Sequence, residues 1–355
     1  MAYTTIDDPS AHFQIALYSG NGTTGQAITN DGNSDLQPDW IWFKRRDDTG
    51  HQRSFDSTRG VTKRFQLNED NAEATNTGKL TSFDSDGFTL GTDSADIDIN
   101  QSSSTMVAWQ WKANGGTRTT NTESGNNPGG GYQANTTAGF SIVDYTGTGA
   151  TGTMAHGLGA VPEMIFFKVV TGSAGNGNVY HKTITADKYL LVSTTAAATD
   201  SATRFNDTEP TSTVFTVNTS ADVNGDGNTY IAYAFKSIQG YSKFGSYTGN
   251  GNADGPFVYT GFKPAWIMQK NTADSTNWNI HDNKRSTFNT VDDILMANAN
   301  DAEGAVGGKS IDFLSNGFKL RGNDNETNDN TDVHIYIAFA EHPFVSSKGV
   351  PCTAR

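Results

Sequence analysis

Pro38-Asp-Trp-Ile-Trp-Phe-Lys44 is the stretch on which the fold is decided, because the chain writes it three times. It returns as Pro162-Glu-Met-Ile-Phe-Phe-Lys168 and as Pro264-Ala-Trp-Ile-Met-Gln-Lys270, with Ile at the third and Lys at the sixth place after each proline. Proline has a fixed φ and no N–H to donate, which suits the first residue of a strand. In the run that follows, period-two alternation sends Trp40 and Trp42 to one face, as it does Met164 with Phe166 and Trp266 with Met268. Each copy therefore reads as a buried strand with a face of rings and sulfur.

Two further phrases flank it in the same order. Upstream stand Tyr18-Ser-Gly-Asn-Gly22, Tyr145-Thr-Gly-Thr-Gly149 and Tyr247-Thr-Gly-Asn-Gly251; downstream stand Met106-Val-Ala-Trp-Gln-Trp111, Tyr230-Ile-Ala-Tyr-Ala-Phe235 and Tyr336-Ile-Ala-Phe-Ala-Glu341. Pro38 to Ala108 and Pro162 to Ala232 are both 70 residues, and Pro264 to Ala338 is 74. Matched order and spacing identify a triplicated unit of about 100 residues, the size of one β-sandwich. The closing phrase alternates as well, with Trp109 and Trp111 on one face and the small Ala108, Ala232 and Ala338 on the other. Phe83-Asp-Ser-Asp-Gly-Phe88 and Phe313-Leu-Ser-Asn-Gly-Phe318 read as hairpins, whereas the middle unit has Thr213-Val-Phe215 instead.

The expected fold is all-β, with three tandem related β-sandwich domains of jelly-roll type. The expected division is an N-terminal attachment segment 1–12, repeat 1 over 13–112, a Gly/Asn/Thr-rich linker 113–137, repeat 2 over 138–239, repeat 3 over 240–345 and a tail 346–355. Trp40, Phe166 and Trp266 are each expected inside their own domain, and the short second junction should hold repeats 2 and 3 more rigidly than 1 and 2.

Composition narrows the function. Of 355 residues 35% are apolar and 11% aromatic, so small cores built around rings are expected. The net charge of −13, with no cluster of Lys and Arg, speaks against nucleic acid and against docking on anionic membrane. No apolar run reaches the roughly 20 residues of a spanning helix, so a soluble chain without membrane insertion is expected. Met1 to Ser10 has neither a basic nor an apolar region, which predicts synthesis in the cytoplasm without a cleaved leader. Cys352 is the single cysteine, read as an inert tail thiol.

Several constellations were weighed for chemistry. Asp222-Val-Asn-Gly-Asp-Gly-Asn228 follows the first half of a calcium loop, so Asp222, Asn224, Asp226 and Asn228 are the weak metal candidates. Position twelve of that loop is Tyr233 where a bidentate Glu is required, and a solvated turn is the expectation. Acid-rich stretches at Asp96 to Asn100 and Asn323 to Asp332 suggest one exposed rim. His181 and His281 lie 19 and 17 residues past their prolines, with Phe55 in the first unit; Asp56 and Asp282 both lie 18 past and precede a basic residue. These read as polar side chains and local ion pairs. No zinc-protease, nucleophile-elbow or phosphate-loop motif occurs, so no catalytic residue and no cofactor is expected.

The opening Tyr3-Thr-Thr-Ile-Asp-Asp-Pro9, the Tyr-x-Gly-x-Gly phrases, Phe83-Asp-Ser-Asp-Gly-Phe-Thr-Leu90 and the ending Tyr336-Ile-Ala-Phe-Ala-Glu-His-Pro-Phe-Val-Ser-Ser347 resemble repeat-containing virion structural proteins of marine tailed bacteriophages. The resemblance covers nearly the whole chain and implies a non-enzymatic particle component, a tail appendage or fibre or a capsid decoration. It implies other virion proteins as partners and a homo-oligomer such as a trimer, and it carries over no site residues. The middle unit departs from the pattern by lacking the Ser-Asp-Gly-Phe turn. The alternatives are a receptor- or carbohydrate-binding tail protein that touches a host surface glycan, and a polysaccharide depolymerase.

Overall fold

A computed structural model describes residues 2–92, 99–172 and 175–352. The chain is all-β, with antiparallel ladders throughout and only single-turn helices. In each repeat one large sheet is built on the same three central strands. An opening strand (Phe13–Ser19, Phe140–Thr146 or Ser242–Thr248) pairs with the closing strand (Thr105–Trp111, Thr229–Phe235 or Val333–Pro343). That strand pairs in turn with the proline strand (Trp40–Arg45, Met164–Val169 or Phe262–Asn271). A return strand follows it (Arg53–Asp56, Asn178–His181 or Asn279–Asp282), then two short strands. In repeat 3 the proline sits inside its strand, where the register shifts between Lys263, Pro264 and Trp266. A bulge is the place a strand tolerates a missing donor.

A smaller sheet covers one face of each large one: Gln26–Ile28 with Leu80–Asp84 and Gly87–Leu90, Gly152–Ala155 with Val214–Val217, and Phe257–Tyr259 with Ile311–Leu314 and Gly317–Leu320. Both hairpins form, with Phe83 opposite Phe88 and Phe313 opposite Phe318. Their turn residues are Ser85-Asp86 and Ser315-Asn316, and the glycine opens the returning strand. A Cβ on Gly87 would stand 2.0 Å from the carbonyl of Ile28, and one on Gly317 2.1 Å from that of Val258, so the neighbouring strand requires glycine. The middle repeat replaces its third small strand by a turn of helix, Ala202–Phe205, whose Phe205 packs on Phe167 and Tyr180.

Between large and small sheet lies a core private to each repeat: Ile41, Phe43 and Ala108 in the first, Ile165, Phe167 and Ala232 in the second, Ile267 and Ala338 in the third. The opposite face of each large sheet belongs to none of them alone. Trp40, Trp42, Trp109 and Trp111 join Met164, Phe166, Tyr233 and Phe235 and then Trp266, Met268 and Phe339 in one continuous cluster. Trp40 stacks on Tyr233 at 4.3 Å, Trp111 meets Trp266 edge-on at 5.8 Å, and Phe235 meets Phe339 at 6.0 Å. The expectation that each ring lies within its own domain is thereby corrected. The alternation read from sequence is right, and the ring-bearing faces cover one another.

Because the large sheets are buried on both sides, the proline strands are buried along their length. The three repeats also close into a ring. Glu73 N–H donates to Val170 at 3.1 Å, Ala198 to Thr272 at 2.9 Å and Glu303 to Arg46 at 2.8 Å, so the same backbone bond runs from repeat 1 to 2, 2 to 3 and 3 to 1. The arrangement is pseudo-threefold within a single chain.

The expected Gly/Asn/Thr-rich linker over 113–137 is also corrected. Thr119–Asn121 and Gly129–Asn135 are strands that extend the second sheet to eight, the latter paired along the whole of Phe140–Thr146. Arg118 grips Asp144 through two bonds of 2.6 Å. All three repeats share one core, so the expected difference in rigidity between the two junctions has no structural counterpart.

Candidate functional site

The Tyr-x-Gly-x-Gly phrases turn out to be one device used three times. The tyrosine hydroxyl donates to the carbonyl of Ile99, Val223 or Thr327, at 2.7, 2.6 and 2.5 Å. The next residue after each of these is an asparagine, Asn100, Asn224 or Asn328, buried in every case. Its side-chain oxygen accepts the N–H of Asn21, Thr148 or Asn250 at 2.9 Å, and its own carbonyl accepts that of Gly22, Gly149 or Gly251, also at 2.9 Å. The first glycine of the phrase is required by crowding: a Cβ on Gly20, Gly147 or Gly249 would stand 2.2, 2.3 or 2.0 Å from a backbone oxygen. A buried Asn that satisfies loop donors fixes a turn without secondary structure.

This device absorbs the calcium-loop candidates. Asn224 donates to Ala150 at 2.6 Å, Asp222 pairs with Arg204 at 2.7 Å, Asp226 is exposed, and the carbonyl of Asn228 accepts Gly147 N–H. The side chains of Asn224 and Asp222 are thus engaged by different neighbours. Among the described residues the carboxylates that do converge are Asp274, Asp329 and Asp332, whose oxygens lie within 4.8 Å of one another on repeat 3. Of the other acidic stretch, Asp96 and Asp98 lie outside the described residues.

The strongest polar constellations sit where repeats meet. Asp56 accepts the guanidinium of Arg59 at 2.6 Å and the phenol of Tyr233 from repeat 2 at 2.8 Å, while Arg59 lies 3.8 Å over the Phe65 ring and reaches Glu73. Burial, reinforced by Asp56, raises the Tyr233 phenol far above its usual value, so it remains a donor. Asp282 repeats the pattern: Arg285 binds it at 2.6 Å, Trp109 of repeat 1 donates its indole N–H at 3.1 Å, and Arg285 reaches Glu303. Both carboxylates are fully buried.

The ladder corrects the matching of the histidines. Met164 faces His181 where Trp40 faces Asp56 and Trp266 faces Asp282, so His181 is the counterpart of the aspartates and His281 that of Phe55 and Tyr180. The return strand of repeat 2 begins one residue late, which equal counting from proline could not show. Burial pushes His181 down to about 3 and leaves it neutral, its ring facing the backbone of Tyr336 in repeat 3. The position of Arg59 and Arg285 is taken by Ile184.

Lys44, Lys168 and Lys270 close the row of inward side chains, each fully buried. Their ammonium groups bind backbone carbonyls, Lys44 that of Asn300 in repeat 3 at 3.2 Å and Lys168 that of Glu69 in repeat 1 at 2.7 Å, while Lys270 stays with Asn271 and Asp274 of its own repeat. Desolvation pushes all three down to about 8. The repeated lysine was visible in sequence; its burial at a junction was not.

The N-terminal segment, expected to attach to a neighbouring protein, packs on its own chain. Tyr3 donates to Gly261 at 2.8 Å, Thr4 to Gln239 at 2.7 Å, Ile6 enters the shared core, and Asp7 accepts Ser347 N–H at 2.6 Å. It straps repeat 1 to the end of repeat 3. Cys352 is half-buried at the end of a folded-back tail, where burial raises its thiol.

No curated protein and no solved structure matches the chain. A family model matches residues 8–343, from ahead of the first opening strand to the last residue of the third closing strand. That span takes in every repeat and every junction between them, and the chain therefore belongs to the family described as a domain of unknown function, DUF7483.

Proposed function

We propose that this chain is a non-enzymatic structural protein of a bacteriophage particle, assembled in the host cytoplasm and displayed as a tail appendage or fibre or as a capsid decoration. In this reading each repeat is a β-sandwich of jelly-roll type, and the three are fused into one block. The observation that carries it is the use made of the polar groups: buried Asp56 and Asp282 accept donors from the adjoining repeats, and buried Lys44 and Lys168 bind carbonyls of the adjoining repeats. A rigid block with many outward loops suits a building element whose partners are other virion proteins. Mass spectrometry and cryo-electron microscopy of purified particles test it, with stoichiometric, symmetry-related copies as the expected result. Absence from particles would sink it. Incubation with host polysaccharide is expected to release no reducing ends.

A second reading, a carbohydrate-binding appendage, is favoured by one observation. Phe257 and Tyr259 on the outer small sheet of repeat 3 are 46% and 52% exposed, and Phe288 is 80% exposed. Rings presented in this way can stack on sugars. Glycan-array binding lost in Tyr259→Ala would favour that role, and no binding to any glycan would remove it.

A further inference from the structure

Pseudo-symmetry allows the three outer edges of the large sheets to be compared. Lys112 N–H donates to His12 and Gly20 N–H to Ser104, so by alternation the even-numbered residues of the first opening strand bond the closing strand, and Phe13, Ile15 and Leu17 turn their main-chain groups outward. In repeat 2 the equivalent outward groups, those of Phe140, Ile142, Asp144 and Thr146, face Asn135, Gln133, Gly131 and Gly129. In repeat 3 the N–H of Phe244, which corresponds to Ile15, is taken by the hydroxyl of Ser237 at 3.1 Å. Among the described residues no strand pairs with the outward edge of Phe13–Ser19.

The space beside that edge is shaped like the one Gly129–Asn135 fills. In repeat 2, Gln133 sits opposite Ile142 and spans to repeat 1, donating to Ser57 at 2.8 Å and Thr58 at 2.6 Å and accepting from Gly116 at 2.9 Å. The residues that correspond to Ser57 and Thr58 in repeat 3 are Asn283 and Lys284. They line a cavity of about 370 Å³, with Phe13, Gln14 and Ile15 on the other wall. Where the buried Asp39 gathers the turn after the first closing strand, repeat 3 has the small Ala265. The seat that a strand occupies at one junction holds no strand at its counterpart, where Asn283 donates to Glu341 and Lys284 binds Asp31.

We propose that this edge docks an extended segment of a different protein, added as an antiparallel strand in the place that Gly129–Asn135 holds on repeat 2. Main-chain bonds to Ile15 and Leu17 would supply affinity, and a polar side chain opposite Ile15, reaching Asn283 and Lys284, would supply register. Small residues suit the seat, as the glycines of residues 129–131 do in repeat 2. The proposal stands on this geometry and does not depend on the particle reading.

The test uses the whole protein and a synthetic peptide of residues 129–135 as probe, followed by amide hydrogen exchange. The amides of Ile15 and Leu17 are expected to exchange freely in the protein alone and roughly tenfold or more slowly with saturating peptide. The same peptide with proline in place of Gly131 and Gln133 should protect neither, which keeps the test independent of how any protein variant folds. Three outcomes overturn the proposal: protection already complete in dilute protein, no protection at millimolar peptide, or protection that grows with protein concentration alone, which would assign the seat to a second copy of this chain.

Discussion

The junctions of repeat 1 with repeats 2 and 3 differ from the junction of repeats 2 and 3 in one respect that separates closure from charge. At the first two, a buried Asp–Arg pair receives a donor from the adjoining repeat, Tyr233 or Trp109. At the third, a neutral His181 and Ile184 occupy the same places, and the closing-strand counterpart of Tyr233 and Trp109 is the apolar Ile337. The backbone bond between repeats is nonetheless present at all three. Apolar packing and main-chain bonding are common to all three junctions, whereas the Asp–Arg pairs serve only two. Buried pairs in general offer little net stability over apolar replacements and are costly to break on one side only.

The largest effect is expected from Trp40→Ala, because that ring stacks on Trp111 at 4.5 Å and on Tyr233 across the junction. A loss of about 3–5 kcal/mol is expected, read in guanidinium unfolding as one cooperative transition shifted as a whole. Independent melting of repeat 1 would break the idea of a shared core. Asp56→Ala strands Arg59 and the Tyr233 phenol, with an expected cost of about 3–5 kcal/mol in the same assay.

The lysines give a pH signature. Their folded values of about 8 lie below the 10.5 of an unfolded lysine. Between those limits the unfolded chain binds more protons, so stability rises with pH from about 8 upward. Above about 10 the buried tyrosines, which ionise more readily once unfolded, oppose the gain. Denaturant midpoints measured from pH 7 to 9.5 should climb, and Lys44→Met should flatten that slope by about a third. A flat wild-type profile would show that the ammonium groups are not desolvated.

Deleting residues 1–7 removes Ile6 from the core and the strap to repeat 3, and a loss of about 2 kcal/mol is expected in thermal melts. The smallest effect tests the comparison most sharply. Asp56→His with Arg59→Ile and Tyr233→Phe converts the first junction to the chemistry of the third. Stability within about 1–2 kcal/mol of wild type is expected, whereas a cost equal to Asp56→Ala alone would show that the charges are needed for closure.

The repeat phrases made much of this legible. The buried proline strand, the aromatic face and the alanine face of each closing strand follow from alternation and spacing, which are local properties. What lies opposite a face is not local, so Trp40 and Tyr233 could not be matched before the sheets were placed. Gly129–Asn135 escaped notice because three successive glycines carry no period-two signal, although main-chain pairing needs none. The loop clamp was findable: a buried residue followed by Asn precedes each closing strand, as Ile99-Asn100, Val223-Asn224 and Thr327-Asn328. His181 was misplaced by one residue, an offset that only a ladder reveals.

The shared core also governs how the chain is made. Phe339, which closes the aromatic cluster against Phe13, Trp111 and Phe235, is the last member of that cluster in chain order and so leaves the ribosome after all the others. At about 5–20 residues per second, the hundred or so residues of the third repeat take several seconds to emerge. For that interval the aromatic walls of the first two repeats have no third partner, and their natural cover is the same wall of another nascent chain. Repeats from neighbouring polysomes could then complete each other's ring, so slow synthesis or crowded translation should favour intertwined assemblies.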